Sequence, residues 1–402
     1  MKIVSIISGI ILMINFGITA SKIKPPDTEK LISATNNFGF ALFSELIKED
    51  TEKNVFISPT SIAIALTMTY NGAEKETKTA MAKTLSIEEM SLAEINEANK
   101  TLSEQLKKAD PEVILNIANS LWAKAGIKFK SDFLKRNKKY FNAQITPLNF
   151  SDPKAPDIIN NWVKEKTNNK ITQIVDKIDP IYTMLYIINA VYFKGKWTTE
   201  FDKNKTQDRP FTLSNGEKKQ VPMMYQKGNY RYLKADKFQA ISLPYGKGKM
   251  SMYIFLPDTN SNLTEFLKNL NLKNWQEWMR QFYYSDGTII LPRFKTEYDK
   301  SLNSALKTLG MEIAFIGGKA NFSGMMQTPL DLYINEVKHK TFVEVNEEGT
   351  EAAAVTSVEI MVTSIREPKE FTMIVDRPFF CAICNNETGS ILFMGAINDP
   401  GK

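Results

Sequence analysis

The chain has 402 residues, of which 43% are hydrophobic and 24% are charged, so it can bury a large core in one big domain or in two smaller ones. Its net charge of +6 is small for this length and gives no indication of a nucleic-acid or acidic partner. No block of like charges, internal repeat or low-complexity tract occurs in the sequence.

The N-terminus has the pattern of a targeting segment. Lys2 precedes an apolar run at residues 3–20, and the small residue Ala20 stands before a plausible cleavage site. The pattern predicts a secretory signal peptide at 1–20 and a short lead-in at 21–29. A secreted, extracellular protein follows from this, or a periplasmic one in a Gram-negative bacterium. The alternative is an uncleaved anchor, because a run of roughly 20 apolar residues can span a bilayer.

The first half of the chain predicts mostly helices, separated by short apolar strands. Ser58 and Pro59 are typical of a helix N-cap followed by a first-turn proline. The helix at 128–140 is rich in lysine and compatible with a polyanion, although a solvated face is the simpler interpretation. The predicted helices are 28–48, 60–70, 75–85, 91–108, 128–140 and 157–167, and the predicted strands are 54–57, 113–123 and 183–191.

The second half predicts mixed strands and helices. Asn215-Gly216 is a hairpin signal. The predicted strands are 240–245, 249–256, 288–294 and 331–345, and the predicted helices are 263–270, 275–282 and 301–309. Strands and helices do not alternate as in a βαβ fold, and no linker divides the chain. We therefore predict one α+β domain over 30–402 with mostly antiparallel sheets.

Residues that carry chemistry are few. Cys381 and Cys384 lie in an apolar strand, PFFCAIC, where residues three apart point to opposite faces, so two buried thiols are favoured over a disulfide or zinc site. The single histidine, His339, would have to serve any Ser-His-Asp hydrolase, but a lone histidine on a strand is more often structural. We predict no catalytic residue, no metal and no cofactor.

Several motifs, in a fixed order, resemble those of the serpin family over nearly the whole length. They are NVFISPTSI at 54–62, NAVYFKGKW at 189–197, LPRF at 291–294, ANFSG at 320–324, EEGTEAAA at 347–354, DRPFF at 376–380 and FMG at 393–395. The resemblance implies a fold of three β-sheets and about nine helices, with an exposed reactive-centre loop at about 347–370.

The resemblance also implies roles for single residues. A hydrogen-bonded cluster under the main sheet, the shutter, would contain Ser58, Ser61, Asn189 and His339. The breach, where the loop first enters the sheet, would contain Trp197, Arg293 and Glu347. The hinge would consist of Glu347, Glu348, Gly349, Thr350, Glu351, Ala352, Ala353, Ala354 and Val355.

Serpins inhibit serine proteases by inserting the cleaved loop into the main sheet, and the loop sequence fits that activity. From Thr350 the alternate residues Ala352 and Ala354 are small, so the strand is suited to rapid insertion. Val355 is larger than usual for the family, but its position predicts that it faces outward. We expect a monomeric inhibitor, not an enzyme, whose partner is a covalently bound protease, with no nucleic-acid or membrane partner. The alternative is a non-inhibitory serpin acting as carrier, chaperone or storage protein.

The reactive bond is placed by counting from the hinge. In inhibitory serpins it usually lies seventeen residues along from the first hinge glutamate, which implies Thr363–Ser364. A small β-branched residue on the acyl side suits an elastase-like protease or, next, a subtilisin-like one. The alternatives are Met361 or Val362, and Arg366 for a trypsin-like protease, although Glu367 and Pro368 disfavour cleavage after Arg366.

Overall fold

The structure is a computed structural model that describes residues 28–326, 332–350 and 370–401. Nine α-helices form in these residues, most of them in the first half of the chain, as predicted. They are α1 (Thr28–Glu49), α2 (Pro59–Tyr70), α3 (Lys75–Thr84), α4 (Leu92–Lys108), α5 (Ser131–Phe141), α6 (Ala155–Lys166), α7 (Leu263–Lys268), α8 (Leu272–Gln281) and α9 (Asn303–Leu306). No helix in the described part of the chain has the length and apolar character needed to cross a membrane.

Fifteen strands are found in the same residues, and most lie in the second half. They are β1 (Val55–Ile57), β2 (Val113–Lys124), β3 (Gln144–Leu148), β4 (Leu185–Lys196), β5 (Gln207–Thr212), β6 (Lys218–Lys234), β7 (Phe238–Tyr245), β8 (Met250–Pro257), β9 (Tyr283–Pro292), β10 (Phe294–Ser301), β11 (Glu336–Asn346), β12 (Gly349–Thr350), β13 (Phe371–Ile374), β14 (Phe379–Asn385) and β15 (Ile391–Ile397).

The described strands form two hydrogen-bonded sheets, of nine and six strands. The larger has the order β1-β15-β14-β8-β7-β6-β9-β13, with β5 paired to β6, and the smaller, the main sheet, has the order β10-β11-β12-β4-β2-β3. The resemblance implies three sheets, and the difference comes from β6. This long strand pairs with β5 at its start and with β7 at its end, and β9 pairs across the middle, so one strand joins two sheets.

The core fills the space between the sheets and the helices packed on them. Every residue of α2 is buried, because the helix is apolar on most faces and lies under the main sheet. A smaller apolar cluster holds α6 against the opposite face of β2 and β4, through Trp122, Ile159 and Ile188 among others. The main sheet is therefore covered on both faces.

Three sequence predictions need correction in detail. Ser58 does precede α2, but its side chain makes no capping bond and donates instead to the carbonyl of Leu392 at 2.6 Å. The helix predicted at 301–309 is α-helical over Asn303–Leu306 and continues as a π-helical turn at Lys307–Met311, where Gly310 has a φ of +104°. The strand predicted from 331 begins only at Glu336, because Ile334 and Asn335 hydrogen-bond to other segments of the chain.

Candidate functional site

The main sheet is closed at one end and open at the other. Strands β4 and β11 pair directly, in parallel, from Tyr186 and Glu336 up to Tyr192 and Phe342. Beyond that point they separate, and β12 lies between them, antiparallel to both. The first residues of the hinge therefore already form the beginning of an additional strand.

The two residues of β12 fit closely. Thr350 is fully buried, and its hydroxyl is 2.7 Å from the hydroxyl of Tyr245, whose ring stacks on Trp197 with centroids 4.4 Å apart. Gly349 has a φ of +148°, and a Cβ at this position would overlap the carbonyl of Gly195. Glycine is thus required at 349 in this conformation.

An ion pair with Arg293 anchors the buried carboxylate of Glu347. The guanidinium of Arg293 donates to both carboxylate oxygens, with Nε at 2.7 and 2.8 Å, and the hydroxyl of Thr206 donates at 2.5 Å. Burial by itself raises the pKa of Glu347, but these hydrogen bonds and the cation outweigh it and hold that pKa below its usual range. Glu347 is therefore ionised at neutral pH.

The neighbouring residues are held through the backbone. The indole Nε1 of Trp197 donates to the carbonyl of Asn346 at 2.9 Å, and the backbone N–H of Trp197 donates to the carbonyl of Glu348 at 3.0 Å. The side chain of Glu348 forms an ion pair with Lys203, which raises the pKa of that lysine. The breach thus fixes the base of the hinge by charge and by backbone hydrogen bonds together.

The shutter is a connected polar network at the closed part of the sheet. Ser58 N–H donates to Nε2 of His339 at 3.2 Å, and Nδ1 of His339 lies 2.5 Å from Oδ1 of Asn189. Asn189 Nδ2 donates to Ser61 Oγ and to Asn119 Oδ1. Since Nε2 accepts a hydrogen bond, the proton of the neutral imidazole is on Nδ1, and the network needs an uncharged histidine.

Burial has a strong effect on His339. The side chain is fully buried, and desolvation lowers its pKa from 6.5 to about 3. Burial also raises the pKa of the Cys381 and Cys384 thiols, which are both free and buried, so neither is a reactive thiolate. Within the described residues, no group of three or more His, Cys, Asp or Glu side chains is placed to hold a metal ion.

The structure brings the predicted shutter residues together, and likewise the predicted breach residues. Their functional roles stay predictions. Sequence reasoning missed four partners of these clusters, Asn119, Lys203, Thr206 and Tyr245, because no motif distinguishes them. The hinge residues Glu351, Ala352, Ala353, Ala354 and Val355, the reactive bond Thr363–Ser364 and the alternative Arg366 lie outside the described residues.

The comparisons with known proteins agree with this architecture. The family model described as Serpin (serine protease inhibitor) matches residues 33–400. The chain therefore belongs to the serpin family.

The relatives indicate the activity. Serpin B6 of Pongo abelii is 38% identical over 92% of this chain and 99% of its own length, and the leukocyte elastase inhibitor of Equus caballus is 36% identical over 92% and 100%. The crystal structure of tengpin, a thermophilic serpin in its native state, aligns with a TM-score of 0.85 at 36% identity, covering 92% of this chain and 94% of tengpin. The chain is a serine protease inhibitor and not an enzyme, as the sequence predicted.

The predicted secreted localisation, extracellular or periplasmic, is wrong. Serpin B6 and the leukocyte elastase inhibitor are intracellular members of the family. The prediction rested only on the apolar residues 3–20, which lie outside both the described residues and the region that matches the family. The assignment of 1–20 as signal peptide, 21–29 as lead-in and 30–402 as one domain stays a prediction.

The shutter predicts a pH dependence of stability. The unfolded chain binds a proton at His339 below about pH 6.5 and the folded chain only near pH 3, so stability falls as the pH is lowered through this window. Between pH 7.5 and 5.5 this group contributes a loss on the order of 1 kcal/mol. His339→Ala should remove that loss, lower stability at pH 7.5 by on the order of 2 kcal/mol and favour polymers, because Ser58 N–H and Asn189 lose a partner.

The measurement is urea denaturation of both proteins at the two pH values. His339 is the only histidine, so no other side chain with an ordinary pKa titrates there, and surface carboxylates cancel in the comparison. The variant that folds should still inhibit. Equal pH dependence in the two proteins, or loss of inhibition with unchanged stability, would contradict the structural role of this histidine.

Proposed function

We propose that the chain is an irreversible suicide-substrate inhibitor that traps its protease as an acyl-enzyme. The protease serine Oγ attacks the carbonyl carbon of Thr363, and the Thr363–Ser364 peptide bond breaks. The proton of the serine hydroxyl passes to the Ser364 nitrogen, which leaves as a free amine. An ester then joins the protease to Thr363. The freed segment extends β12 between β4 and β11 and carries the protease along before water can cleave the ester.

The register of β12 supports this insertion. Thr350 pairs with Gly195 of β4 and with Val345 of β11. Continued antiparallel pairing brings residue 359 opposite Tyr186 on one side and Glu336 on the other. These two residues are each other's partners in the closed part of the sheet, so both neighbouring strands give the same register.

The same register brings Thr356 between Asn189 and His339. Insertion must therefore break the 2.5 Å hydrogen bond between them, and the shutter is the point that the strand has to open. Thr350, Ala352 and Ala354 enter first, on the buried side of the strand if the pattern set by Thr350 continues. Small residues at these positions favour insertion over hydrolysis of the ester.

The position of the reactive bond fits the length of the main sheet. Continued pairing brings residue 360 opposite Leu185, where β4 begins, and Thr363 three residues further. Cleavage after Arg366 would add three more residues, about 10 Å of slack. We propose Thr363–Ser364 as the reactive bond and an elastase-like protease as the target, with a subtilisin-like protease as the next candidate.

A protease panel tests the function directly. An elastase-like enzyme mixed with the inhibitor should form a complex that resists SDS, and loop cleavage without a complex should raise the melting temperature by tens of degrees, because the new strand is added to the sheet. A non-inhibitory carrier would give neither result. The inhibitory relatives make that alternative the less supported one.

Thr350→Arg should convert the inhibitor into a substrate. The arginine would have to be buried beside Tyr245 without a partner, both in β12 before cleavage and in the inserted strand, which costs several kcal/mol and keeps the start of the hinge out of the sheet. Thr350→Ser keeps the hydroxyl and is the matched control. The measurement is the ratio of SDS-resistant complex to cleaved inhibitor, and a wild-type ratio for the arginine variant would refute the inward position of this residue in the inserted strand.

Mass spectrometry of the peptide released from the complex identifies the bond. A fragment that begins at Ser364 is expected, because this length matches the main sheet. Fragments that begin at Val362 or Thr363 would move the bond by one or two residues. A fragment that begins at Glu367 would overturn the assignment and point to a trypsin-like target.

A further inference from the structure

Two large side chains project from the turn that leads into β4. Ile181 and Tyr182 are 71% and 68% exposed, so together they form a small apolar patch on the surface. We call this pair the knob. It precedes Leu185, whereas β12 pairs at Gly195 and Lys196, so the knob and the breach lie at opposite ends of a strand about 40 Å long.

Hydrogen bonds hold the backbone of the knob in place. Asp179 Oδ1 accepts from the N–H groups of Ile181 and Tyr182 at 2.9 and 3.2 Å. The carbonyl of Tyr182 accepts from the Tyr333 hydroxyl at 2.9 Å and from Asn335 Nδ2 at 2.6 Å. The exposed side chains thus stand on a fixed support rather than on a loosely held loop.

The insertion register leads to the knob. Extending the pairing of Thr350 with Gly195 brings residue 360 opposite Leu185, the first residue of β4. Thr363, the last residue of the cleaved segment, then comes three residues beyond Leu185, which is also the separation of Tyr182 from Leu185. Extending the pairing with β11 brings Thr363 opposite Leu332, which is close to the Tyr333 side chain that bonds Tyr182. The residue that carries the ester would therefore arrive between these two segments.

We infer that the knob is the surface against which the trapped protease is pressed. This inference rests on the proposed function and deepens it. The ester bond is only a few ångströms long, so a protease attached to Thr363 must contact whatever projects beside that residue. Tyrosine and isoleucine on a fixed turn present apolar area at low entropic cost, which suits a contact that keeps the protease active site distorted.

The test is the double variant Ile181→Ser, Tyr182→Ser, measured with the elastase-like enzyme. Loop cleavage and acylation should proceed at the wild-type rate, because the knob is remote from the breach. The SDS-resistant complex should break down about tenfold faster, as expected for loss of an aromatic contact worth somewhat more than 1 kcal/mol. Tyr284→Ser is the matched control, since Tyr284 is 73% exposed but belongs to β9 in the other sheet, and its complex should keep the wild-type lifetime.

The outcomes separate the inference from the proposed function. If the wild-type protein forms no SDS-resistant complex, the proposed function itself is refuted. If the complex of the double variant has the wild-type lifetime, the function stands and the role of the knob is refuted. The role of the knob is also refuted if Tyr284→Ser shortens the lifetime of the complex as much as the double variant does. The sedimentation coefficient of the free inhibitor should be the same for both proteins. A smaller value for the double variant would assign the knob to self-association and overturn the inference.

Discussion

The parallel pairing of β4 with β11 is the constraint on which the rest of the structure depends. It closes seven residue pairs of the main sheet and leaves the end beside the breach open. A parallel pair is slightly less stable per residue than an antiparallel one. Insertion would replace this one parallel interface with two antiparallel interfaces, a net gain of a dozen or so hydrogen bonds. At about 1 kcal/mol each, the gain is on the order of 10 kcal/mol, enough to drive the movement of an attached protein.

This gain in free energy is useful only if it is delayed until the loop is cleaved. The contacts of the breach indicate how the hinge is positioned before cleavage. Arg293 and Lys203 neutralise two adjacent glutamates, and Trp197 binds the backbone on either side of Glu347. These contacts hold the hinge at the entrance of the sheet with Thr350 already inside. Insertion therefore begins from a paired strand and requires no nucleation. In the proposed mechanism, the closed interface further along the sheet, and in particular the shutter, would resist insertion.

The sequence predicted much of this fold but not its hydrogen-bond networks. The helices and about half of the strands follow from apolar periodicity. The motifs that contain Ser58, Asn189 and Arg293, together with the single histidine His339, indicated the two clusters. Asn119 was missed because an asparagine in an apolar strand has no local signal of its partner 70 residues away. The joining of the sheets by β6 was missed because no strand was predicted at 218–234, where the hairpin signal Asn215-Gly216 was the one indication of β structure. Localisation was wrong because it rested on the hydrophobicity of a segment that does not contribute to the matched fold.

The shutter is polar rather than apolar, and the reason is physical. Asn189 and His339 are fully buried, so each must find hydrogen-bond partners in every state of the sheet. In the closed state they partner each other, and Ser58, Ser61 and Asn119 take the remaining positions. In the proposed insertion, Thr356 would come between them and would supply a hydroxyl in place of the bond that is lost. A network with one exchangeable bond is therefore stable in both states and costly only between them. The barrier to insertion would therefore lie at the shutter, and the inserted state would carry no penalty. A trap requires both properties, because it must be metastable before cleavage and irreversible after it.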